Sequence, residues 1–161
     1  MNIRYLQEHR TNALLALDLA RKEVAQLRYS HSTLFTQPID IHWVEQLAKN
    51  QAMAEKVEAF VSRFGRLQDH IGEKLVPRFA ALLGETPKSM IDTMEYAEKM
   101  QWIQSAEDFF SARRLRNLLV HEYMSDAALF LESLLTAKEA TDMLLSLVHA
   151  VDIEAQSMGL V

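Results

Sequence analysis

The segment at positions 113–126, RRLRNLLVHEYMSD, holds the side chains of this chain that are best suited to chemistry. Arg116, His121 and Tyr123 fall within eight consecutive residues. A guanidinium binds phosphate oxygens with a planar fork of N–H donors, and an imidazole accepts or returns protons near neutral pH. A phenol offers a hydroxyl that can be modified. The segment therefore predicts a site that acts on phosphate groups.

Helical geometry is expected to separate two of these side chains. At about 100° per residue, Arg116 and His121 point about 140° apart, whereas Arg116 lies above Tyr123. Asn117 and Arg114 share a face with His121. Arg116 and His121 meet at one phosphate only if the arginine wraps around the helix, the helix end unwinds or a second subunit contributes. The geometry favours the last arrangement, a site shared across a homodimer.

The same segment also has a purely structural interpretation. Its leucines cluster on one helix face and would be buried there: Leu115, Leu118 and Leu119. In that interpretation Arg116 is a solvated arginine, while His121 and Tyr123 finish the helix, with the tyrosine anchoring its end. Spacing alone leaves both interpretations open.

Composition and charge exclude several classes of protein. A length of 161 residues is most simply one domain, spanning 1–161. The absence of cysteine excludes disulfides and thiolate zinc sites. A net charge of −5 argues against a broad basic face for long duplex DNA. Charged residues interrupt the first segment, MNIRYLQEHRTN, and no run approaches the roughly 18 apolar residues of a membrane span, so we expect a cytoplasmic protein without membrane contact.

The histidines are not arranged as metal ligands. A di-iron helical bundle requires Glu-x-x-His pairs, and none of the six histidines has an acidic residue three positions earlier. There is also no His-Glu-x-x-His helix, glycine-rich phosphate loop or G-x-S-x-G turn. The eight methionines occur at helical spacing, which is typical of core filling. The sequence therefore predicts neither a metal nor a cofactor.

The elements that must position the motif are predicted to be helices throughout. Only four glycines and three prolines interrupt a chain rich in helix-forming residues. The apolar spacing predicts a first helix at about Ile3–Leu27, a short helix capped by Asp40, and a long helix that reaches Pro77 and continues or restarts after it. The expected architecture is all-α, an antiparallel up-down helical bundle.

Further start signals divide the second half of the chain. Thr86 followed by Pro87 is expected to open one helix, and Ser105 is expected to cap the helix that carries the motif. The spacing of Thr136 and Glu139 is that of a capping box. We therefore expect a break near Leu135 and a last helix that ends at about position 156.

The string RNLLVHEY resembles the Arg-x4-His-x-Tyr signature of the HEPN superfamily. It is most similar to the HepT-like toxins of the HEPN and minimal-nucleotidyltransferase toxin–antitoxin systems. The strings AFVSRFGRLQDHIGEKLVPRF and FFSARRLRNLLVHEY also resemble helices of that family. The resemblance covers roughly positions 40–158. It implies a HEPN-like four-helix core with short helices and an extra N-terminal helix, which at positions 1–35 lies outside the clearest similarity.

The resemblance implies a homodimer that cuts RNA, such as tRNA or mRNA, without a metal. His121 would help the ribose 2′-hydroxyl attack the adjacent phosphorus, giving a 2′,3′-cyclic phosphate. Arg116 would stabilise the negative charge on the phosphorane, and Asn117 would orient a phosphate oxygen. Arg113 and Arg114 would hold RNA, although an ordinary solvated position is the alternative for each.

The resemblance also implies a partner and a modification. In HepT-like toxins the tyrosine of the motif accepts AMP from the cognate minimal nucleotidyltransferase, the antitoxin, so Tyr123 would be the acceptor here. A second hypothesis is a noncatalytic HEPN subunit that binds substrate for a small nucleotidyltransferase, and a third is an unrelated helical scaffold. Asp69 and His70 are polar residues on the preceding helix to which the sequence assigns no role.

Overall fold

A computed structural model describes residues 5–121, 123 and 125–161, and these residues contain no β-strand. The described ranges contain seven α-helices in this order: α1 (Arg10–Leu34), α2 (Ile41–Glu45), α3 (Gln51–His70), α4 (Val76–Leu82), α5 (Met90–Lys99), α6 (Ala106–His121) and α7 (Ala127–Ser157). Short 3₁₀ turns lie at Gln7–His9 and Leu47–Lys49, and a π-helical turn at Ile71–Leu75 joins α3 to α4. The predicted all-α helical bundle is confirmed. In these ranges no helix is both long and apolar enough to cross a membrane.

Helices α1 and α3 pack side by side and run in opposite directions. Arg63 near the middle of α3 donates to Gln26 O at 3.1 Å and to Ser30 Oγ at 2.8 Å, near the end of α1. His70 at the end of α3 donates through Nε2 to Ala16 O at 2.7 Å, near the start of α1. Later residues of one helix thus contact earlier residues of the other.

The same pattern joins α6 and α7 to this pair. Gln68 of α3 donates to Ala112 O of α6 at 3.1 Å, and Arg21 of α1 forms an ion pair with Asp152 of α7. Helix α6 packs on α7, and α7 packs on α1. The four long helices therefore form a ring, and the pairs Arg21–Asp152 and His31–Lys138 show that α1 and α7 also run in opposite directions, as expected for an up-down bundle.

Apolar side chains from all four long helices meet in one hydrophobic core. Its largest fully buried side chains are phenylalanines: Phe60, Phe64, Phe79, Phe109 and Phe130. Burying a side chain of this size stabilises the fold by about 1.5–3 kcal/mol. The core thus fixes α6 against α3, which is the contact that positions the motif.

The first helix ends later than the sequence predicts, whereas the long third segment follows the prediction. Helix α1 begins at Arg10 and ends at Leu34, so the predicted end at Leu27 is wrong, and the predicted start at Ile3 lies outside the described residues. The helix continues past Leu27 because Leu34 is buried and Ser30 receives a hydrogen bond from α3. The third segment continues through Pro77, which is one of the two predicted outcomes, because the preceding π turn widens the helix where proline lacks an N–H.

Two of the predicted start signals are confirmed and two are wrong. The Asp40 carboxylate accepts from Trp43 N at 2.8 Å, and the Ser105 hydroxyl accepts from Glu107 N at 3.2 Å. Helix α5 is capped by Ser89, whose Oγ accepts from Asp92 N at 3.0 Å, rather than by Thr86. Helix α7 has no break near Leu135. The Thr136 hydroxyl donates to Glu132 O within the helix at 2.8 Å and therefore does not act as a cap.

Candidate functional site

Arg116 lies against α3 and is held there by a carboxylate. Its guanidinium forms an ion pair with Asp69 Oδ1, and Arg113 Nη1 lies 3.6 Å from the same oxygen. The side chains of Arg116 and Asp69 are each 33% exposed, so the pair is at the edge of solvent. Two guanidinium groups share one carboxylate, and the cluster therefore keeps one excess positive charge.

Gly65 makes the approach of Arg116 to α3 possible. A Cβ atom at position 65 would lie 2.6 Å from Arg116 Nε, closer than real contacts allow, and 3.1 Å from its Cδ, which is a tight contact. Glycine inside a helix costs about 1 kcal/mol relative to alanine. At this position the glycine makes a contact possible, because the absence of a side chain leaves a groove in which the Arg116 side chain lies.

A cleft of about 530 Å³ opens between α3 and α6 beside this contact, and we call it the α3–α6 cleft. Its apolar lining consists of Val57, Val61, Leu119 and Val120. Its polar lining consists of Glu58, Ser62, Arg66, Asp69, Arg116 and Tyr123, with Gly65 on the same wall. The cleft combines two arginines and two carboxylates with an apolar surface, which suits a ligand that has a polar and an apolar part.

Tyr123 reaches the same cleft from beyond the end of α6. Its ring packs edge-on against Phe130 of α7 at 5.2 Å between centroids, and the side chain is half-buried. Burial raises the pKa of the Tyr123 phenol, and the negative charge of Glu58 raises this pKa further. The hydroxyl is therefore protonated at neutral pH, and its use as a nucleophile requires a base.

His121 is placed differently from Arg116 and Tyr123. It is the last residue of α6, is exposed, and does not line the α3–α6 cleft in the described part of the chain. Arg116 faces α3, as its ion pair shows. A single chain thus brings Arg116 and Tyr123 together and leaves the imidazole of His121 open to solvent.

The other polar residues of the motif lie at a second cleft, of about 500 Å³, beside α5. Arg113, Arg114 and Asn117 line it together with Glu95 and Glu107. Arg114 forms an ion pair with Glu107. The acidic groups offset the arginines, so this cleft is less cationic than the motif alone indicates.

The structure adds Asp69 and Gly65 to the site. They lie four residues apart on α3 and therefore share one face of that helix. Their spacing in the sequence indicates that they share a helix face, but only the register between α3 and α6 shows which arginine they contact. His70, the other unassigned polar residue, hydrogen bonds to Ala16 O in the core. Among the described residues, no three His, Asp or Glu side chains are grouped as a metal site.

Comparison with protein-family models, with curated proteins and with solved structures gives no match.

Proposed function

We propose that this chain is a HepT-like toxin, a metal-independent endoribonuclease whose site is shared across a homodimer and is neutralised by AMP transfer to Tyr123. One observation supports the proposal most. Arg116 and Tyr123 line the same cleft, while His121 on the same helix stays exposed. A group added to Tyr123 would thus lie next to Arg116 and block it. The exposed imidazole of His121 could transfer a proton at a phosphate that is bound by a second subunit.

The proposed reaction needs a base, a charged donor and an RNA phosphodiester. His121 takes the proton of the ribose 2′-hydroxyl as its oxygen attacks the adjacent phosphorus, and the bond from phosphorus to the 5′-oxygen breaks. His121 then returns the proton to the leaving 5′-oxygen. Arg116 of the other subunit stabilises the charge on the phosphorane, and Asn117 orients a phosphate oxygen. The products are a 2′,3′-cyclic phosphate and a 5′-hydroxyl.

The proposed regulation uses the position of Tyr123. In the transfer, the phenol oxygen bonds to the α-phosphorus of ATP, pyrophosphate leaves and the phenol proton passes to a base of the nucleotidyltransferase. The new phosphodiester carries a negative charge beside Arg116. It would compete with RNA for the guanidinium and fill the cleft with a bulky group.

The test is RNA cleavage by the purified chain in the presence and absence of EDTA. We expect cleavage to persist with EDTA and to fall by roughly 100-fold or more in Arg116→Ala and in His121→Ala. Arg28→Ala, at an exposed arginine of α1, is the matched control and should cleave normally. Full activity in His121→Ala, or loss of cleavage with EDTA, would contradict the mechanism.

One observation favours the second candidate, a noncatalytic subunit of a small nucleotidyltransferase. Arg116 and Arg114 are already engaged by carboxylates of their own chain. Expression of the chain alone separates the two functions. Growth arrest that His121→Ala relieves supports the ribonuclease, and unimpaired growth with no RNA cleavage supports the binding subunit.

A further inference from the structure

The α3–α6 cleft has the size and lining of a site for one small amphipathic ligand. Its volume of about 530 Å³ lies within the roughly 300–1,000 Å³ typical of small-molecule pockets. We infer that it binds a single nucleoside monophosphate unit, with the phosphate at its arginines and the base on its valines. The inference rests on the proposed function only for the biological source of that unit, a nucleotide of RNA or the AMP carried by Tyr123.

The phosphate end contains two arginines, a hydroxyl and Asp69, whose carboxylate pairs with Arg116. Arg116 and Arg66 both line the cleft, and Arg66 is 54% exposed. Arg66 Nη2 lies 3.2 Å from Ser62 Oγ, so these two groups approach the ligand side by side. Glu23 lies 3.9 Å from Arg66, too far for a strong hydrogen bond. An incoming phosphate can therefore form charge-assisted hydrogen bonds at this end.

The base end is apolar and partly uncovered. Val61 of α3 lines it and is partly exposed, and Val120 of α6 lines it and is 58% exposed. The ring of Tyr123 completes this end. A flat base covers such a surface and removes it from water.

Glu58 gives the base end a hydrogen-bond acceptor. Glu58 lines the cleft together with Tyr123, and the charge of its carboxylate raises the pKa of the Tyr123 phenol. A carboxylate accepts hydrogen bonds from the exocyclic amino group of adenine or cytosine, which uracil lacks. We therefore expect AMP to bind more tightly than UMP, and equal binding of the two would overturn the role of Glu58.

The experiment is a titration of the unmodified chain with 5′-AMP, followed by NMR of its backbone amides. The expected shifts lie in residues 57–69 and 116–121, with adenosine and inorganic phosphate each binding at least about tenfold more weakly than AMP. Shifts confined to the second cleft, which is lined by Arg114 and Asn117, would overturn the inference. Binding of inorganic phosphate as tight as that of AMP would also overturn it. The RNA dinucleotide ApA separates the sources. Tighter binding of ApA than of AMP assigns the cleft to RNA, and the reverse assigns it to the AMP unit.

Matched variants test both ends of the cleft. Arg66→Ala should weaken AMP binding by about tenfold, whereas Arg28→Ala should leave it unchanged. Val120→Asp should also weaken it, and Leu15→Asp is the control because Leu15 is 59% exposed and lies outside the cleft. If the members of each pair bind AMP equally, the cleft is not the site.

Failure of the inference is distinguishable from failure of the proposed function. AMP binding in the cleft without RNA cleavage would retain the site and reject the ribonuclease. RNA cleavage that depends on His121 without AMP binding in the cleft would retain the ribonuclease and reject the site.

Discussion

Gly65 is the position at which one added methyl group should displace Arg116. In Gly65→Ala the new Cβ would lie 2.6 Å from Arg116 Nε, 3.1 Å from Cδ and 3.2 Å from Cζ, so the side chain has to move. The methyl group itself favours the helix by about 0.8–1.0 kcal/mol. Loss of the half-exposed ion pair with Asp69 costs about 0.2–1 kcal/mol. These terms nearly cancel, and we expect the free energy of unfolding to change by less than about 1 kcal/mol.

The activity of Gly65→Ala should change much more than its stability. A displacement of a catalytic group by about 1 Å can cost roughly 100-fold in rate, and Arg116 is the group that would stabilise the phosphorane. Urea unfolding gives the stability, and the initial rate of RNA cleavage gives the activity. A near-normal fold with cleavage reduced by roughly 100-fold is the expected combination.

A double-mutant cycle shows whether the effect acts through the arginine. In the Arg116→Ala background the methyl group has nothing to displace, so Gly65→Ala should stabilise the fold by about 0.8–1.0 kcal/mol and leave the residual activity unchanged. If Gly65→Ala stabilises both backgrounds equally, the close contact between Gly65 and Arg116 has no energetic consequence and the reasoning is refuted.

Three further predictions follow from the contacts of single residues. Asp69→Asn removes the carboxylate shared by Arg113 and Arg116 and should lower the free energy of unfolding by up to about 1 kcal/mol in low salt. The control is Asp142→Asn at an exposed position, and equal stability of the two variants would show that the cluster is not stabilising. Tyr123→Phe should keep at least part of its RNA cleavage and should resist AMP transfer, which is checked by intact mass after incubation with the nucleotidyltransferase and ATP. AMP on the phenylalanine variant would place the acceptor elsewhere. Burial, and then the charges of Glu85 and Glu154, raise the pKa of Tyr96 to about 12, so the contribution of Tyr96 to stability is complete below pH 10 and is lost between pH 10 and about 12. In urea titrations across that pH window, Tyr96→Phe should therefore lose less stability than the unmodified chain. Parallel curves of stability against pH would contradict the assignment.

Local signals in the sequence predicted the fold class and some of its helix starts. The scarcity of Gly and Pro predicted an all-α chain, and Asp40 and Ser105 cap helices where expected. The same signals failed where tertiary packing outweighs them. Thr136 has the spacing of a cap, but Ala137 and Thr141 are buried on the continuous core face of α7, and the helix does not break.

The candidate site was predictable only in part, for a similar reason. The angular separation of Arg116 and His121 was visible in their spacing, and in the structure the arginine side chain lies against α3 while the histidine side chain is exposed to solvent. The partner of Arg116 was not visible, because Asp69 lies 47 residues away on a helix whose register is set by core packing. Local spacing carries no information on that register.

The proposed catalytic site requires a homodimer, because it combines Arg116 of one subunit with His121 of the other. We expect a homodimer by light scattering at micromolar concentration, with the two copies of the motif close to the symmetry axis. A chain that remains monomeric under these conditions could not combine Arg116 of one subunit with His121 of another.

Subunit complementation tests the shared site most directly. Arg116→Ala and His121→Ala homodimers should each be inactive, but a mixed dimer keeps one intact pair, with Arg116 from one subunit and His121 from the other. After random exchange of equal amounts, half of the dimers are mixed, and about a quarter of the unmodified rate of RNA cleavage should return. A mixture that stays as inactive as its two components, although mass spectrometry shows that mixed dimers have formed, would contradict a site shared between subunits.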